Sequence, residues 1–153
     1  MMYLIKTEKK FLSLIFFISL IIKIVFFFIF LKINPCILMF DSEHYHKAAI
    51  NILTWTDAYQ FYRMPGYPFF LASCYKLFGI KTLPVIFTQI TFSCFIPILI
   101  YILALILFPK QIKVAKIAAF FSCFDLGYII FPSLIMSETL FVIFFMLFLI
   151  LFL

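Results

Sequence analysis

Apolar runs of about twenty residues, the length that crosses a membrane as a helix, recur along this chain and constrain its fold more than any other feature. They cover residues 11–31, 84–108, 114–131 and 137–153. Hydrophobic residues make up 67% of the sequence, and a water-soluble domain of this size would have to expose much of that apolar surface. We therefore predict an all-α, polytopic integral membrane protein with about four transmembrane helices.

Lysine-rich segments predict its orientation. Three lysines precede the first span and three follow the second, namely Lys6, Lys9, Lys10, Lys110, Lys113 and Lys116. Because two crossings separate these groups, both lie on one side of the membrane, and lysine-rich short segments favour the cytoplasmic side. The N-terminus is thus predicted in the cytoplasm, in a bacterial inner membrane. The net charge of +6 comes from scattered lysines rather than a basic stripe interleaved with aromatic residues, which argues against a nucleic-acid partner.

Residues 32–83 form the one long polar interval and are predicted to lie outside the cytoplasm. Residues 41–53 have helical periodicity, and one face collects Asp41, Tyr45, Ala48, Ala49 and Ile52. A second helix is predicted over residues 69–78, opened by Pro68 and ended by Gly79. Both helices are too short to span a membrane, so we expect short interfacial helices within a long extracytoplasmic loop.

Three residues inside the predicted spans need a local explanation. Lys23 would cost about 2.5–3.5 kcal/mol near the bilayer centre, so we expect it to snorkel or to face a neighbouring helix rather than to bind a ligand. Pro97 is expected to kink the second span. Asp125 is expected to be a buried carboxylate that needs a partner or a proton, and the sequence names no partner.

Asp41, Arg63 and Glu138 are the candidate functional residues, because the predicted topology places all three at one face of the membrane. Each also has a structural explanation. Asp41 or Ser42 can cap a helix N-terminus. Arg63 can pair with a lipid phosphate, and Glu138 is favoured by the positive end of a helix dipole.

The histidines beside Asp41 do not predict a metal site. His44 and His46 are two residues apart and point to nearly opposite sides of a helix, so at most His44 and Asp41 could share an ion. We predict no protein-only metal site and identify no cofactor. Cys36 and Cys74 are the pair that an oxidising compartment would allow to form a disulfide.

Four features in order resemble the bacterial membrane-embedded glycosyltransferases of the GT-C type, glycosyltransferase family 39, related to the protein O-mannosyltransferases and the lipid A aminoarabinose transferases. A first span is followed by DSEHY at residues 41–45. YRMPGYPFFLA at 62–72 is similar to the family pattern R-x-P-G-Y-P-x-x-L. A span with a basic turn comes next, and FPSLIMSETLF at 131–141 then opens another span.

The resemblance implies a donor in which a polyprenyl phosphate carries one sugar, used with inversion on the outer face. Asp41 matches the base that takes the proton of the attacking hydroxyl. Arg63 matches the cation that holds the departing phosphate. Glu138 matches an acidic position that orients acceptor or sugar, and Tyr45 is assigned to substrate binding with it. Some family members carry an acidic residue implicated in metal binding where this chain has Tyr62, so the resemblance does not support a divalent ion.

The motifs cover almost the whole chain but only the front part of such an enzyme. We therefore expect a truncated, N-terminal fragment whose C-terminal part is missing or supplied by another chain. Two alternatives stay open, a non-enzymatic membrane protein such as a permease subunit or a carrier of lipid-phosphate sugars, and an inactive remnant.

Overall fold

The computed structural model describes residues 8–33, 41–54 and 64–153, and every regular element within these ranges is helical. The elements in chain order are α1 (Lys9–Ile33), α2 (Ser42–Thr54), α3 (Gly66–Phe78), α4 (Thr82–Ser93), α5 (Ile96–Leu107), α6 (Ile112–Ser122), α7 (Leu126–Ile130), a 3₁₀ turn (Phe131–Ser133) and α8 (Glu138–Phe152). The all-α prediction is confirmed for this part of the chain.

Two helical stretches are long and apolar enough to cross a membrane, namely α1 and the stretch Thr82–Leu107, which contains α4 and α5. A third exists if α6 and the segment Leu126–Ser133, bent by 54° from each other, count as one span. The fourth predicted span corresponds to α8, which has 15 residues and is about 22 Å long at 1.5 Å per residue. Within the described residues, α8 is therefore an apolar helix shorter than a roughly 30 Å hydrocarbon core.

The larger buried cluster joins the C-terminal half of α1 to the helices of the polar interval. Its members from these helices and α4 include Phe27, Tyr45, Ala49, Tyr67, Leu71, Tyr75, Val85, Ile86 and Ile90. Tyr45 and Ala49 lie on the helix face that the sequence spacing predicted them to share. Both are buried, and Ile52 of the same face packs against this cluster. The apolar face of α2 thus fixes that helix against the span bundle.

Helix α3 begins at Gly66, three residues before the predicted start. Pro68 lies in its first turn, where the first four amides have no acceptor within the helix, so the missing N–H of proline costs nothing there. The PGYP segment is therefore the start of the helix and not a separate turn. Gly79 ends α3 with a φ of 78°, a left-handed conformation that glycine adopts without strain, as predicted.

A two-residue turn at Cys94 and Phe95 separates α4 from α5, just before Pro97. Pro97 has no amide hydrogen, so it cannot donate to the carbonyl of Ser93 four residues earlier. The ammonium Nζ of Lys23 donates to this carbonyl at 2.8 Å and to Ser19 Oγ at 2.8 Å. Lys23 is fully buried. Of the two predicted placements, it therefore faces a neighbouring helix and does not snorkel.

Asp125 is not covered by other parts of the described chain. Its side chain is exposed at the break between α6 and α7, where Oδ1 accepts a hydrogen bond from the Tyr128 amide at 3.1 Å. Asp125 is thus the N-cap of α7. The apolar run predicted one continuous span. Instead, the Asp125 carboxylate accepts a hydrogen bond from the backbone amide three residues later, and this bond stabilises the start of a new helix.

The two lysine-rich segments lie at the same end of the bundle. Lys116 Nζ of α6 is 2.8 Å from the Glu8 carboxylate just before α1, and the rings of Phe11 and Tyr101 are 5.7 Å apart. A smaller buried cluster of Tyr101, Leu105, Ala115 and Ala119 packs beside this end of α1. The polar-interval helices pack near the other end of α1, around Phe27.

Candidate functional site

A contact between α2 and the start of α8 forms the centre of the candidate site. The hydroxyls of Tyr45 and Ser137 are 3.2 Å apart, and either can donate, although 92 residues separate them in sequence. Ser137 directly precedes Glu138, the first residue of α8. The structure therefore brings together two of the sequence motifs, DSEHY and the segment that contains Glu138.

A second layer of polar contacts holds the turn before α8. The Tyr67 ring meets the Tyr45 ring edge-on with centroids 4.8 Å apart, and its hydroxyl donates to Gln89 Oε1 at 3.0 Å. The amide nitrogen of Gln89 donates to the carbonyls of Leu134 at 3.2 Å and Met136 at 3.3 Å. Gln89 is fully buried, so these bonds satisfy a polar group that burial would otherwise penalise. The bonds to Leu134 and Met136 hold the segment that directly precedes α8.

The buried tyrosines of α3 stay protonated at neutral pH. Burial raises the pKa of Tyr67 well above its usual value, and the nearby Tyr75, Tyr45 and Glu138 add to this shift. Burial likewise raises the pKa of Tyr75 to about 12, and its hydroxyl is 2.7 Å from Nδ1 of His46. Both tyrosines therefore act as neutral hydrogen-bonding groups that join α3 to α2 and α4.

Glu138 is half-buried at the first position of α8. Its Oε2 is buried and has no hydrogen-bond partner among the described residues, and the same holds for Oγ1 of the adjacent Thr139, which is 3% exposed. The predicted site residue Glu138 thus directly follows the serine that contacts Tyr45, and one of its carboxylate oxygens is enclosed without a partner among the described residues.

Asp41 directly precedes α2 and is half-buried. Its backbone carbonyl accepts the amide of Tyr45 at 3.2 Å, which places Asp41 one helical turn before the contact with Ser137. Arg63 lies outside the described residues, so the structure does not relate it to the other three predicted site residues. The roles assigned to all four stay predictions.

In the described segments, no group of three or more His, Cys, Asp or Glu residues has a geometry that could hold a metal ion. His44 is exposed, and His46 contacts Tyr75. Glu43 forms an exposed ion pair of 2.7 Å with Lys47, which lowers the pKa of its carboxyl. Cys36 lies outside the described residues, so its predicted pairing stays untested.

Three residues of this site were missed from the sequence, namely Tyr67, Gln89 and Ser137. Gln89 carried a usable signal, because a glutamine inside an apolar span needs hydrogen-bond partners. Tyr67 and Ser137 carried no separate signal, since each appears in the sequence only as part of a longer motif.

Comparisons of the chain with protein-family models, with curated proteins and with solved structures gave no match. The family resemblance of the motifs therefore remains a prediction.

Proposed function

We propose that this chain is part of the machinery of a membrane-embedded glycosyltransferase, which transfers a sugar from a polyprenyl-phosphate donor to a hydroxyl acceptor on the outer face of a membrane. The contact between Tyr45 and Ser137 carries the proposal, because it brings the DSEHY motif to the start of the helix that holds Glu138. The two or three helices that are long and apolar enough to cross a membrane agree with a substrate anchored by a lipid.

The chemistry accounts for the residue types. An acceptor hydroxyl attacks the anomeric carbon while the Asp41 carboxylate takes its proton. The bond between that carbon and the phosphate oxygen breaks, and the phosphate leaves with the electron pair. The guanidinium of Arg63 stabilises this developing negative charge through two parallel hydrogen bonds. Glu138 and Tyr45 orient the sugar or the acceptor through their polar oxygens.

The proposed orientation has the lysine-rich end in the cytoplasm and the α2–α3 end outside. It is supported by the ion pair between Lys116 and Glu8, which joins the two lysine-rich segments at one end.

We expect a cysteine at Lys76 to react with a membrane-impermeant thiol reagent on intact cells, and a cysteine at Lys113 to react only after the cells are opened. Both side chains are exposed in the fold, so reactivity reports the compartment and not burial. Labelling is read by gel shift in a background whose native cysteines are replaced by serine. The reverse pattern would place the candidate site in the cytoplasm and overturn the proposal.

We expect Arg63→Ala to weaken binding of the polyprenyl-phosphate sugar more than Arg63→Lys does. Lysine keeps the positive charge but loses the planar fork that grips a phosphate with two bonds. Binding is measured with this segment grafted into a complete lipid-linked sugar transferase, and Lys76→Ala serves as a control for general loss of charge. Equal affinity in the grafted parent and both Arg63 variants would remove this residue from the donor site.

A further inference from the structure

An open groove of about 470 Å³ lies beside the first turns of α1. It is lined by Lys9, Lys10, Ser13, Leu14 and Phe17, so polar side chains come first along the helix and apolar side chains follow them. Residues three or four apart on a helix are neighbours on its surface, which places these five on one flank of α1. The wall of the groove is mostly apolar and partly polar. It therefore combines hydrocarbon with basic groups along a short length of one helix.

The two lysines of this groove carry uncompensated positive charge. At the same end of the bundle, Lys116 Nζ is 2.8 Å from the Glu8 carboxylate, so these two charges neutralise each other. The side chains of Lys9, Lys10 and Ser13 have no ion-pair or hydrogen-bond partner within residues 8–33, 41–54 and 64–153. Both lysines are exposed, and a long lysine side chain can hold its stem along apolar surface while its ammonium stays at the mouth of the groove. Two ammonium groups and a hydroxyl are suitable donors for a phosphate.

The apolar part of the groove continues along α1. Leu14, Phe17, Ile21 and Val25 follow one another three or four residues apart, and each of them is more than half exposed. At 1.5 Å per residue this row is roughly 16 Å long, about half of a 30 Å hydrocarbon core. Since α1 is long and apolar enough to cross a membrane, the row gives a lipid chain an apolar surface through one leaflet. The lysines then lie at the head-group end of that surface.

Charge selects the class of lipid. Phosphatidylcholine and phosphatidylethanolamine carry a cation of their own, which compensates their phosphate. Phosphatidylglycerol has a phosphate without such a cation, so its head group complements two lysines that lack a carboxylate partner. One basic residue near a membrane surface raises the affinity for anionic lipid by about fivefold.

We propose that this groove binds an anionic phospholipid, with its phosphate held by Lys9, Lys10 and Ser13 and one acyl chain along Leu14 and Phe17. The inference requires that α1 crosses a membrane, but it does not require sugar transfer. It holds for either orientation of the chain.

The test uses the full chain in phosphatidylcholine vesicles, with a fluorescent reporter in the groove. Trp55, the one tryptophan of the sequence, is replaced by phenylalanine, and Phe17→Trp supplies the reporter. Bromine atoms on an acyl chain quench a tryptophan that they contact. Quenching by brominated phosphatidylglycerol and by brominated phosphatidylcholine of equal chain length therefore gives the relative affinity of the groove for the two lipids. We expect phosphatidylglycerol to be favoured at least about fivefold.

Lys9→Gln combined with Lys10→Gln removes both charges and keeps good helix formers at both positions. We expect this double variant to lower the preference for phosphatidylglycerol to less than about twofold. Lys110→Gln combined with Lys113→Gln is the matched control, because these lysines are exposed at the same end of the bundle and lie outside the groove. The control loses the same charge and should keep the preference. Circular dichroism checks that each variant keeps its helices.

Phe144→Trp places the reporter on the exposed face of α8, a helix that begins with a glutamate and has no lysine, and it should show no preference between the two lipids. A preference of equal size at this position would belong to the whole surface and overturns the inference.

Equal quenching of the groove reporter by both lipids, or a preference that survives the loss of both lysine charges, also overturns it. Little quenching by either lipid would show that residues 1–7 of this chain or a second copy fills the groove, which is again a negative result. Because the readout needs no sugar donor, the lipid site can fail while sugar transfer stands, and sugar transfer can fail while the lipid site stands.

Discussion

Asp41→Asn is expected to remove nearly all sugar transfer and to leave donor binding and fold intact. Asparagine caps a helix about as well as aspartate, so the start of α2 should be preserved. It cannot take a proton at neutral pH, and a general base typically contributes about 10²–10⁴-fold in rate. The rate is measured with this segment grafted into a complete lipid-linked sugar transferase, using a radiolabelled polyprenyl-phosphate sugar.

Comparing Asp41→Ala with Asp41→Asn separates the role of Asp41 as a general base from its role as a helix cap. Alanine removes both roles, whereas asparagine removes only the base, so the catalytic role predicts that both variants are inactive. Glu43→Gln, two residues away and exposed, is the control for loss of a carboxylate from α2. If asparagine restores the activity that alanine removes, Asp41 is a helix cap. If Asp41 is dispensable while Arg63 is needed for lipid-phosphate binding, the chain is a carrier and not an enzyme.

The helices, and the residues that share a face of α2, could be predicted because they depend on local patterns. The apolar run at residues 11–31 predicted α1 to within two residues at each end, and helical spacing predicted that Tyr45 and Ala49 share one face of α2. Gly79 ends α3 in a conformation with positive φ, which glycine adopts more easily than other residues. Such features follow from period, length and turn chemistry, which a sequence displays directly.

The break at Asp125 could not be predicted from hydropathy, because an apolar run looks the same whether it forms one helix or two. The deciding interaction is a single side-chain bond from the Tyr128 amide to Asp125. Hydropathy averages over many residues and cannot register such a local cap.

The predicted topology assigned Asp41, Arg63 and Glu138 to one face of the membrane, and the roles of these residues and of Tyr45 stay predictions. The contacts that join α2 to α8 were not predicted. Tyr45 meets Ser137, and Gln89 holds the turn before α8, only because distant helices pack together. Sequence spacing carries no information on such tertiary pairs.

Lys23→Met is expected to destabilise the native protein more than it destabilises a Pro97→Ala variant. With proline at 97, the carbonyl of Ser93 has no helical donor, and the ammonium of Lys23 supplies the missing bond at 2.8 Å. With alanine at 97, a backbone amide becomes available to that carbonyl, so the ammonium is no longer needed there. The coupling between the two substitutions should be about 1–3 kcal/mol, the cost of leaving a buried acceptor unsatisfied.

The coupling is measured as the free energy of unfolding in mixed micelles for the four members of the cycle. Lys32→Met with Pro97→Ala is the control cycle, because Lys32 is exposed in the last turn of the same helix and should combine additively with the proline change. The sign of either single effect does not decide the matter, since removing a buried ammonium also removes its desolvation cost. Only the coupling free energy isolates the hydrogen bond from Lys23 to the Ser93 carbonyl. If the Lys23 and Pro97 substitutions are additive within about 0.5 kcal/mol, the lysine does not replace the helical hydrogen bond that proline removes.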